Sequence, residues 1–221
     1  MKHVLITGFY DWKELGTPPQ LDRCRDNPSC RVLTGSGIGS RDLSGPLATQ
    51  LKAWASARPS LQLHFALLPV TWASHADLEL EKFDQVIHLG LGVYDSNHRI
   101  LIEEGAYNRH RGQDAAGVSR DQRIEEEADS VLIAPPQVQE GLKRALSVSL
   151  PAPFTLSSIP AREENSYLCN AVHFRALQHI HSKPEGQLQQ AYFVHIPHAE
   201  NQDDRPLAAA LFKLLIALLG S

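Results

Sequence analysis

Residues 84–92, with the sequence DQVIHLGLG, form a short apolar run that ends in closely spaced glycines. A continuous apolar run of this length, bounded by glycine, is typical of a β-strand rather than of an amphipathic helix. The stretch therefore predicts a strand over residues 84–89 that enters a glycine-rich turn at residues 90–92.

Strand-like and helix-like runs alternate on both sides of this stretch. The strand-like runs are residues 4–7, 61–68, 100–107, 154–159 and 191–196, and the helix-like runs are residues 46–57, 76–82, 136–147, 166–181 and 206–219. This alternation predicts an α/β sandwich with a largely parallel sheet and helices on both faces. The polar, Gly- and Pro-rich residues 11–40 are expected to form a long loop, and Asp203 or Asp204 to cap the last helix.

The composition limits the classes of protein to consider. A chain of 221 residues is expected to form one domain, residues 1–221. The net charge of −4 and the lack of a Lys/Arg block indicate neither a nucleic-acid partner nor a membrane surface. The apolar residues 207–219 are too few to span a bilayer, which needs about 20. Three cysteines, an odd number, argue against a disulfide framework and for a reducing cytoplasm.

Cys169 is the first candidate for chemistry, because it lies in the segment 166–170, SYLCN, at the predicted start of a helix. The free N–H groups and the positive dipole end of a helix N-terminus lower the pKa of a thiol, and a thiolate is a nucleophile. If Ser166 caps the helix, Cys169 lies in its first turn, where the same N–H groups stabilise an oxyanion. A small buried core residue is the alternative interpretation, which placement alone favours.

His195 and the pair Glu103 and Glu104 supply the other groups that a cysteine hydrolase needs. His195 ends an apolar strand, and functional groups collect at the carboxyl ends of strands in open α/β sheets. There it can take the thiol proton and later protonate a leaving amine, whereas a hydrogen-bonded strand-end histidine is the alternative. Glu103 and Glu104 are neighbours in an extended segment, so they point to opposite faces and one of them can orient a histidine.

No metal ion or cofactor is expected. The spacings His179-x-His181 and His195-x-x-His198 are weak metal patterns, because the first lies on a predicted helix, where residues two apart diverge. Cys24 and Cys30 are too far apart in sequence for a Cys-x-x-Cys knuckle. The glycines at 35, 37 and 39 match neither the dinucleotide-binding nor the P-loop pattern and are expected to form a flexible turn.

Segments across most of the chain resemble pyroglutamyl peptidase I (pyrrolidone-carboxylate peptidase), a family of cysteine peptidases, and they occur in the family's order. The ordered set is more specific than any single match. The segments are VLITGF at 4–9 for V-L-V-T-G-F, NPS at 27–29, DQVIHLGL at 84–91 for D-x-V-I-H-L-G-L, Glu103 with Ala106 and Asn108 for E-x-x-A-x-N, SYLCN at 166–170 for Y-x-C-N, and VHIP at 194–197 for I-H-V-P.

The resemblance implies a three-layer α/β/α sandwich with a twisted, largely parallel mixed sheet. It also implies a cytoplasmic exopeptidase without a cofactor, acting on a peptide with an N-terminal pyroglutamate. It carries over Cys169 as the nucleophile, His195 as the general base and acid, and Glu103 as the residue that orients the histidine. Residues 111–114, RGQD, align with the family's Arg-x-x-Asp segment if the stretch after Asn108 is shorter here than in the family. That alignment implies that Arg111 lies near the oxyanion site.

Departures from the family pattern fall around the pocket. In the family, the two aromatic residues of the motif G-F-x-P-F-G-G sandwich the pyrrolidone ring. The corresponding segment here is GFYDWKE at 8–14, in which Phe9 is the first aromatic residue and Trp12 takes the place of the second. The small residues that precede the nucleophile are replaced by Glu164 and Asn165, and a carboxylate near a thiol opposes thiolate formation.

Two alternatives therefore accompany the peptidase interpretation. One is a triad hydrolase for a different small acyl or amide substrate, and the other is a catalytically degenerate binding protein of the same fold. The Leu- and Phe-rich last helix fits either core packing or a contact between copies of the chain, so a homo-oligomer stays open.

Overall fold

Ten strands and five helices make up the described structure, a computed structural model that describes residues 1–11, 24, 26–35, 43–76, 78–93, 95–198 and 203–220. The strands are β1 (Lys2–Phe9), β2 (Leu61–Leu68), β3 (Gln85–Val93), β4 (Arg99–Glu103), β5 (Gly105–Tyr107), β6 (His110–Gln113), β7 (Ser119–Gln122), β8 (Val131–Ile133), β9 (Thr155–Ile159) and β10 (Gln190–Pro197). The helices are α1 (Pro28–Thr34), α2 (Pro46–Ser56), α3 (Pro136–Leu146), α4 (Leu168–Ser182) and α5 (Arg205–Leu219).

A mixed sheet of six strands, in the order β2-β1-β3-β10-β4-β9, forms the central layer. Strands β2, β1, β3 and β10 are parallel, whereas β4 runs antiparallel to β10 and pairs in parallel with β9. Helix α4 packs against β3 and β10 in one helical layer, and helix α5 packs against α1, α2 and α3 in the other. The predicted α/β/α sandwich with a largely parallel mixed sheet is therefore confirmed.

The inner faces of the helices form the core with both faces of the central strands. Helix α5 shows why the sequence folds this way, because four of its leucine side chains are buried with 0% exposure: Leu211, Leu214, Leu215 and Leu218. Each such side chain stabilises the fold by about 1.5–3 kcal/mol through its removal from water. No helix among the described residues has the length and apolar character needed to cross a membrane.

Three local predictions are wrong. Among the described residues of the helix expected at 76–82, only Leu80–Lys82 is helical, and it forms a single 3₁₀ turn. The chain before it forms short turns instead, such as the one closed by the hydrogen bond from Leu78 N–H to His75 C=O. The glycines expected in a turn at residues 90–92 lie in β3, since β10 pairs with that strand through Leu91. The run 100–107 is divided between β4 and β5 at Glu104, whose N–H and C=O bond to Ile159 and Ala134.

The expected long loop at residues 11–40 contains helix α1, and most of its remaining residues lie outside the described part of the chain. Asn27 caps this helix by accepting the N–H of Ser29 at 3.0 Å, with Pro28 in the first turn, where its missing N–H costs nothing. The hydroxyl of Ser29 in turn accepts the N–H of Phe9 at 3.0 Å. The NPS motif therefore fixes the end of β1.

Helix α1 also brings Cys24 and Cys30 together as a disulfide, with their Cα atoms 5.4 Å apart, inside the usual range for such a bond. The odd number of cysteines argued against a disulfide framework, whereas the structure contains this one disulfide. The two cysteines are six positions apart in sequence, and that spacing alone does not show that they are close in space. Cys169 is the free cysteine.

A buried ion pair joins α1 to the start of α5. The Arg31 guanidinium donates to both carboxylate oxygens of Asp204 at 2.9 Å, and the two side chains are only 5% and 8% exposed. Asp204 is the N-cap residue of α5, but its side chain makes no capping bond because it is engaged by Arg31. Asp203 instead accepts the N–H of Arg205 at 3.1 Å.

We expect Asp204→Ala to lower the free energy of unfolding by about 3–5 kcal/mol, because it removes the carboxylate that neutralises a buried guanidinium. Urea unfolding at pH 7 measures this loss. The neighbouring Asp203→Ala is the matched control: its partner Arg205 is 83% exposed, so this variant should lose only the main-chain hydrogen bond at the start of α5, about 1 kcal/mol. Equal losses in the two variants would contradict the assignment of Asp204 as a structural link.

Candidate active site

The junction of β4 and β10 brings Glu103 against His195. The antiparallel register pairs His195 with Leu101, which places Glu103 diagonally across from His195 on the same face of the sheet. His195 Nε2 lies 2.6 Å from Glu103 Oε1, and the side chains are 10% and 2% exposed. Glu104 points away, and its exposed carboxylate accepts the hydroxyl of Ser158. The two neighbours therefore face opposite sides, as expected.

This contact determines which nitrogen of His195 carries the proton. A carboxylate accepts hydrogen bonds, so Nε2–H donates to Glu103 and Nδ1 keeps its lone pair in the neutral ring. Nδ1 is buried and has no hydrogen-bond partner in the described structure. The arrangement leaves a basic nitrogen that is oriented by a carboxylate and free to accept a proton.

The side chains of Cys169 and His195 both pack against strand β3. A Cβ atom at Gly92 would lie 2.0 Å from His195 Nδ1, and a Cβ atom at Gly90 would lie 3.0 Å from Cys169 Sγ. Residues 90 and 92 project from the same face of the strand, so the thiol and the imidazole occupy adjacent positions above it. No hydrogen bond joins Sγ to Nδ1 among the described atoms. Glycine is required at both positions because the two side chains approach the backbone so closely.

Cys169 is the second residue of α4, in its first turn, as predicted. The expected cap by Ser166 is wrong: Tyr167 is the N-cap residue without a side-chain capping bond, and the Ser166 hydroxyl donates to Glu163 C=O. The first turn is held by Asn170 instead. Its side chain accepts the N–H of Tyr107 at 2.7 Å and donates to Tyr107 C=O at 2.7 Å, which ties α4 to β5.

The thiol pKa moves in the direction opposite to the one expected for a helix N-terminus. Burial and the negative charge of Glu103 raise the pKa of Cys169 to about 12, although a hydrogen bond from its own main-chain N–H acts in the lowering direction. The opposing carboxylate is therefore Glu103 rather than Glu164, whose side chain is exposed. In the free protein the Cys169 thiol keeps its proton at neutral pH.

A small cavity of about 60 Å³ opens beside the thiol. Phe9, predicted to bind substrate, lines it together with Cys169, whereas Trp12 lies outside the described residues. Sequence reasoning gave no site role to the other lining residues, which are Asn27, Val70, Leu91, Tyr167 and Leu168. Four of them lie within motifs that match the family, and this position could have indicated a role in the site: Asn27, Leu91, Tyr167 and Leu168. Val70 lies in no matched motif.

Arg111 lies on β6, and its main-chain N–H donates to Ser166 C=O at 2.7 Å. Its main chain is therefore close to the segment that leads into Cys169, but its side chain is exposed. The structure thus brings Cys169, His195, Glu103 and Phe9 together, and it does not bring the Arg111 guanidinium into the same buried cluster.

Comparison with known proteins identifies the fold. No protein-family model and no curated protein sequence matches the chain. Solved structures of pyrrolidone carboxyl peptidases do match it. The one from Thermococcus litoralis has a TM-score of 0.65 and 21% identity, with 99% of this chain and 94% of that chain covered. The one from Thermus thermophilus has a TM-score of 0.59 and 23% identity, with 95% and 99% covered. A Pyrococcus furiosus structure has a TM-score of 0.64 and 20% identity, with 98% and 96% covered. The chain therefore has the fold of the pyrrolidone carboxyl peptidases, and the family resemblance of its motifs is confirmed at the level of the fold.

Proposed function

We propose that this protein is a cysteine exopeptidase that releases N-terminal pyroglutamate from peptides, with Cys169, His195 and Glu103 as its triad. The observation that carries the proposal is the 2.6 Å contact between Glu103 and His195, which leaves a buried and unpartnered Nδ1 on the side of the ring that faces away from Glu103. A nucleophile, a base and a group that orients the base are the three parts of such a site. The likeness to pyrrolidone carboxyl peptidases supports the substrate class.

The first half of the reaction transfers the acyl group to sulfur. His195 Nδ1 takes the proton of Cys169 while Sγ attacks the carbonyl carbon that joins the pyroglutamyl group to the next residue. The tetrahedral adduct then collapses, His195 returns the proton to the departing amine nitrogen, and the C–N bond breaks. In the second half, water loses a proton to His195 and attacks the thioester, the C–S bond breaks, and the thiol regains its proton.

The raised pKa of Cys169 is compatible with this sequence because the proton leaves only as the new bond forms. A preformed thiolate is not needed when a base lies close by, and the imidazolium that forms is stabilised by the Glu103 carboxylate. Catalytic contacts are often long in free enzymes and shorten in the substrate complex. The missing hydrogen bond between Sγ and Nδ1 is consistent with that behaviour.

The oxyanion is proposed to be held by main-chain N–H groups in the first turn of α4, which have no helical acceptor. Arg111 keeps its predicted place as a second contributor, since long side chains change rotamer on binding. The small cavity lined by Phe9, Val70 and Leu91 suits an uncharged, flat ring better than a charged side chain.

We expect Cys169→Ala and His195→Ala each to lower kcat for a pyroglutamyl amide by several orders of magnitude, with little further loss in the double variant, because the two side chains act as one unit. Release of the amine from a chromogenic pyroglutamyl amide measures this. His181→Ala, at an exposed histidine near the end of α4, is the matched control and should keep the wild-type rate.

A panel of N-acyl amides separates the alternatives in the same assay. A clear preference for another acyl group would favour the hydrolase of different specificity. Absence of any hydrolysis would favour the binding protein, and wild-type turnover by Cys169→Ala would exclude the proposed nucleophile.

Glu103→Gln should change two properties of the site in opposite directions. Loss of the negative charge lowers the pKa of Cys169, so alkylation by iodoacetamide at pH 8 should become faster. Turnover should fall by roughly two to four orders of magnitude, because glutamine no longer stabilises the imidazolium. Glu104→Gln, on the exposed neighbour, should change neither rate. Parallel changes in alkylation and turnover would contradict this division of roles.

The pH dependence of alkylation tests the raised pKa directly. With a Cys169 pKa of about 12, the thiolate fraction in the wild-type protein should rise about tenfold per pH unit through neutral and alkaline pH. The logarithm of the alkylation rate should therefore still climb at about pH 9–10, where an ordinary thiol has reached its plateau. A plateau near pH 7 would show a preformed thiolate and contradict the expected protonation state.

A further inference from the structure

A second cavity, which we call the α4 cavity, lies along the middle and end of helix α4, away from its first turn. Its volume is about 320 Å³, and its polar lining residues include His75, His88, Arg175, Gln178, His179 and Lys183. It shares no lining residue with the cavity beside Cys169. The proposed reaction uses none of these side chains.

Several nitrogen atoms around the α4 cavity are buried and have no hydrogen-bond partner among the described residues. They are His88 Nε2, His75 Nδ1, His179 Nε2 and Arg175 Nε. His88 is 0% exposed, and its other nitrogen contacts Thr7 Oγ1 at 2.7 Å. If that hydroxyl donates to Nδ1, His88 Nε2 carries a proton and is a donor.

Arg175 fixes the chemical character of the cavity because its Nε–H can only donate. Its terminal nitrogens are engaged by Glu125 Oε2 at 2.9 Å and by Ile124 C=O at 3.0 Å, which hold the guanidinium in place. A buried donor without an acceptor is unfavourable, so Arg175 Nε, together with His88 Nε2 in the protonated form described above, indicates a missing acceptor.

The charges around the α4 cavity favour an anion. Arg175, which is ion-paired with Glu125 at 2.9 Å, and Lys183 line it, and no Asp or Glu among the described residues does. The pKa of His75 is lowered to about 4, first by burial and then by the positive charges of Arg175 and Arg120. Glu81 acts on His179 in the opposite direction but does not line the cavity.

A metal ion does not fit the same residues. No group of three or more His, Cys, Asp or Glu side chains with metal-binding geometry exists in the part of the chain that the structure describes. The positive charges of Arg175 and Lys183 would also repel a divalent ion.

We propose that the α4 cavity binds a small organic oxyanion, a molecule with a phosphoryl or carboxylate group whose oxygens accept from Arg175, His88 and Lys183. Charge-assisted bonds of this kind are the strong ones in anion recognition. The volume reaches the range of ligand pockets, about 300–1,000 Å³, so it holds more than the oxyanion itself. Leu78, Leu80 and Val172 supply apolar lining for that remainder. The site is independent of the proposed peptidase activity.

Isothermal titration and thermal unfolding with inorganic phosphate and, separately, with succinate test the proposal, with sodium chloride at equal ionic strength as the reference. We expect saturable binding of at least one of the two anions and a rise in Tm with its concentration, because a ligand of the native state stabilises it. Lys183→Gln and Arg175→Gln should each weaken that binding by roughly tenfold or more. Lys213→Gln, at an exposed lysine on α5, is the matched control and should leave it unchanged.

The outcomes separate the two sources of the oxyanion. Binding of phosphate alone identifies a phosphoryl ligand, binding of succinate alone a carboxylate, and binding of both a site that recognises their shared charge. Because Arg175 also holds residues 124 and 125, the exposed Lys183 variant carries the test without a risk to folding. Lack of saturable binding by both anions, or equal weakening in Lys183→Gln and Lys213→Gln, would overturn the proposal.

Discussion

Glu103 is a carboxylate with 2% of its side chain exposed, and a charge at that depth is tolerated only when a donor meets it. His195 Nε2 is that donor, at 2.6 Å. One contact then sets two properties of the site: the orientation of the imidazole and the free lone pair on Nδ1. The negative charge of the same carboxylate adds to burial, the larger cause, in raising the pKa of Cys169. The sheet must place β4 antiparallel to β10 for the contact to form, so the reversal of strand direction is part of the site.

Strand β3 imposes the complementary constraint, since the thiol and the imidazole need a bare strand beneath them. Gly90 and Gly92 weaken β3, because that part of the strand has no side chains to pack. Strand β10 pairs with β3 as far as Val93, whereas the pairing of β3 with β1 ends at His88, so the β10 edge holds the glycine-containing part. Phe193 fills the space above Gly90, where a Cβ atom would lie 2.6 Å from its ring, and the ring is 4.9 Å from that of His195 and 6.2 Å from that of His173.

Helix α4 links the two cavities through one continuous element. Its first turn carries Cys169 and is anchored by Asn170, its middle buries His173 with both ring nitrogens unpartnered, and its last turns line the α4 cavity. Burial lowers the pKa of His173 to about 3, with the charges of His88 and His195 acting in the same direction. His173 on this helix is therefore neutral at pH 7, as is His88 at the α4 cavity, whose pKa burial lowers to about 3.

Local patterns in the sequence were sufficient for the fold class, for most strands and helices, and for the candidates Cys169, His195 and Glu103, because apolar spacing, glycine placement and ordered motifs are properties of neighbouring residues. The environment of each side chain was not accessible in that way. Glu103 and His195 are 92 positions apart, so only the tertiary structure decided that Glu103, rather than Glu164, is the charge that opposes thiolate formation. The same holds for the α4 cavity, whose walls come from β3, α4 and the chain around His75, because burial and charge depend on packing between distant segments.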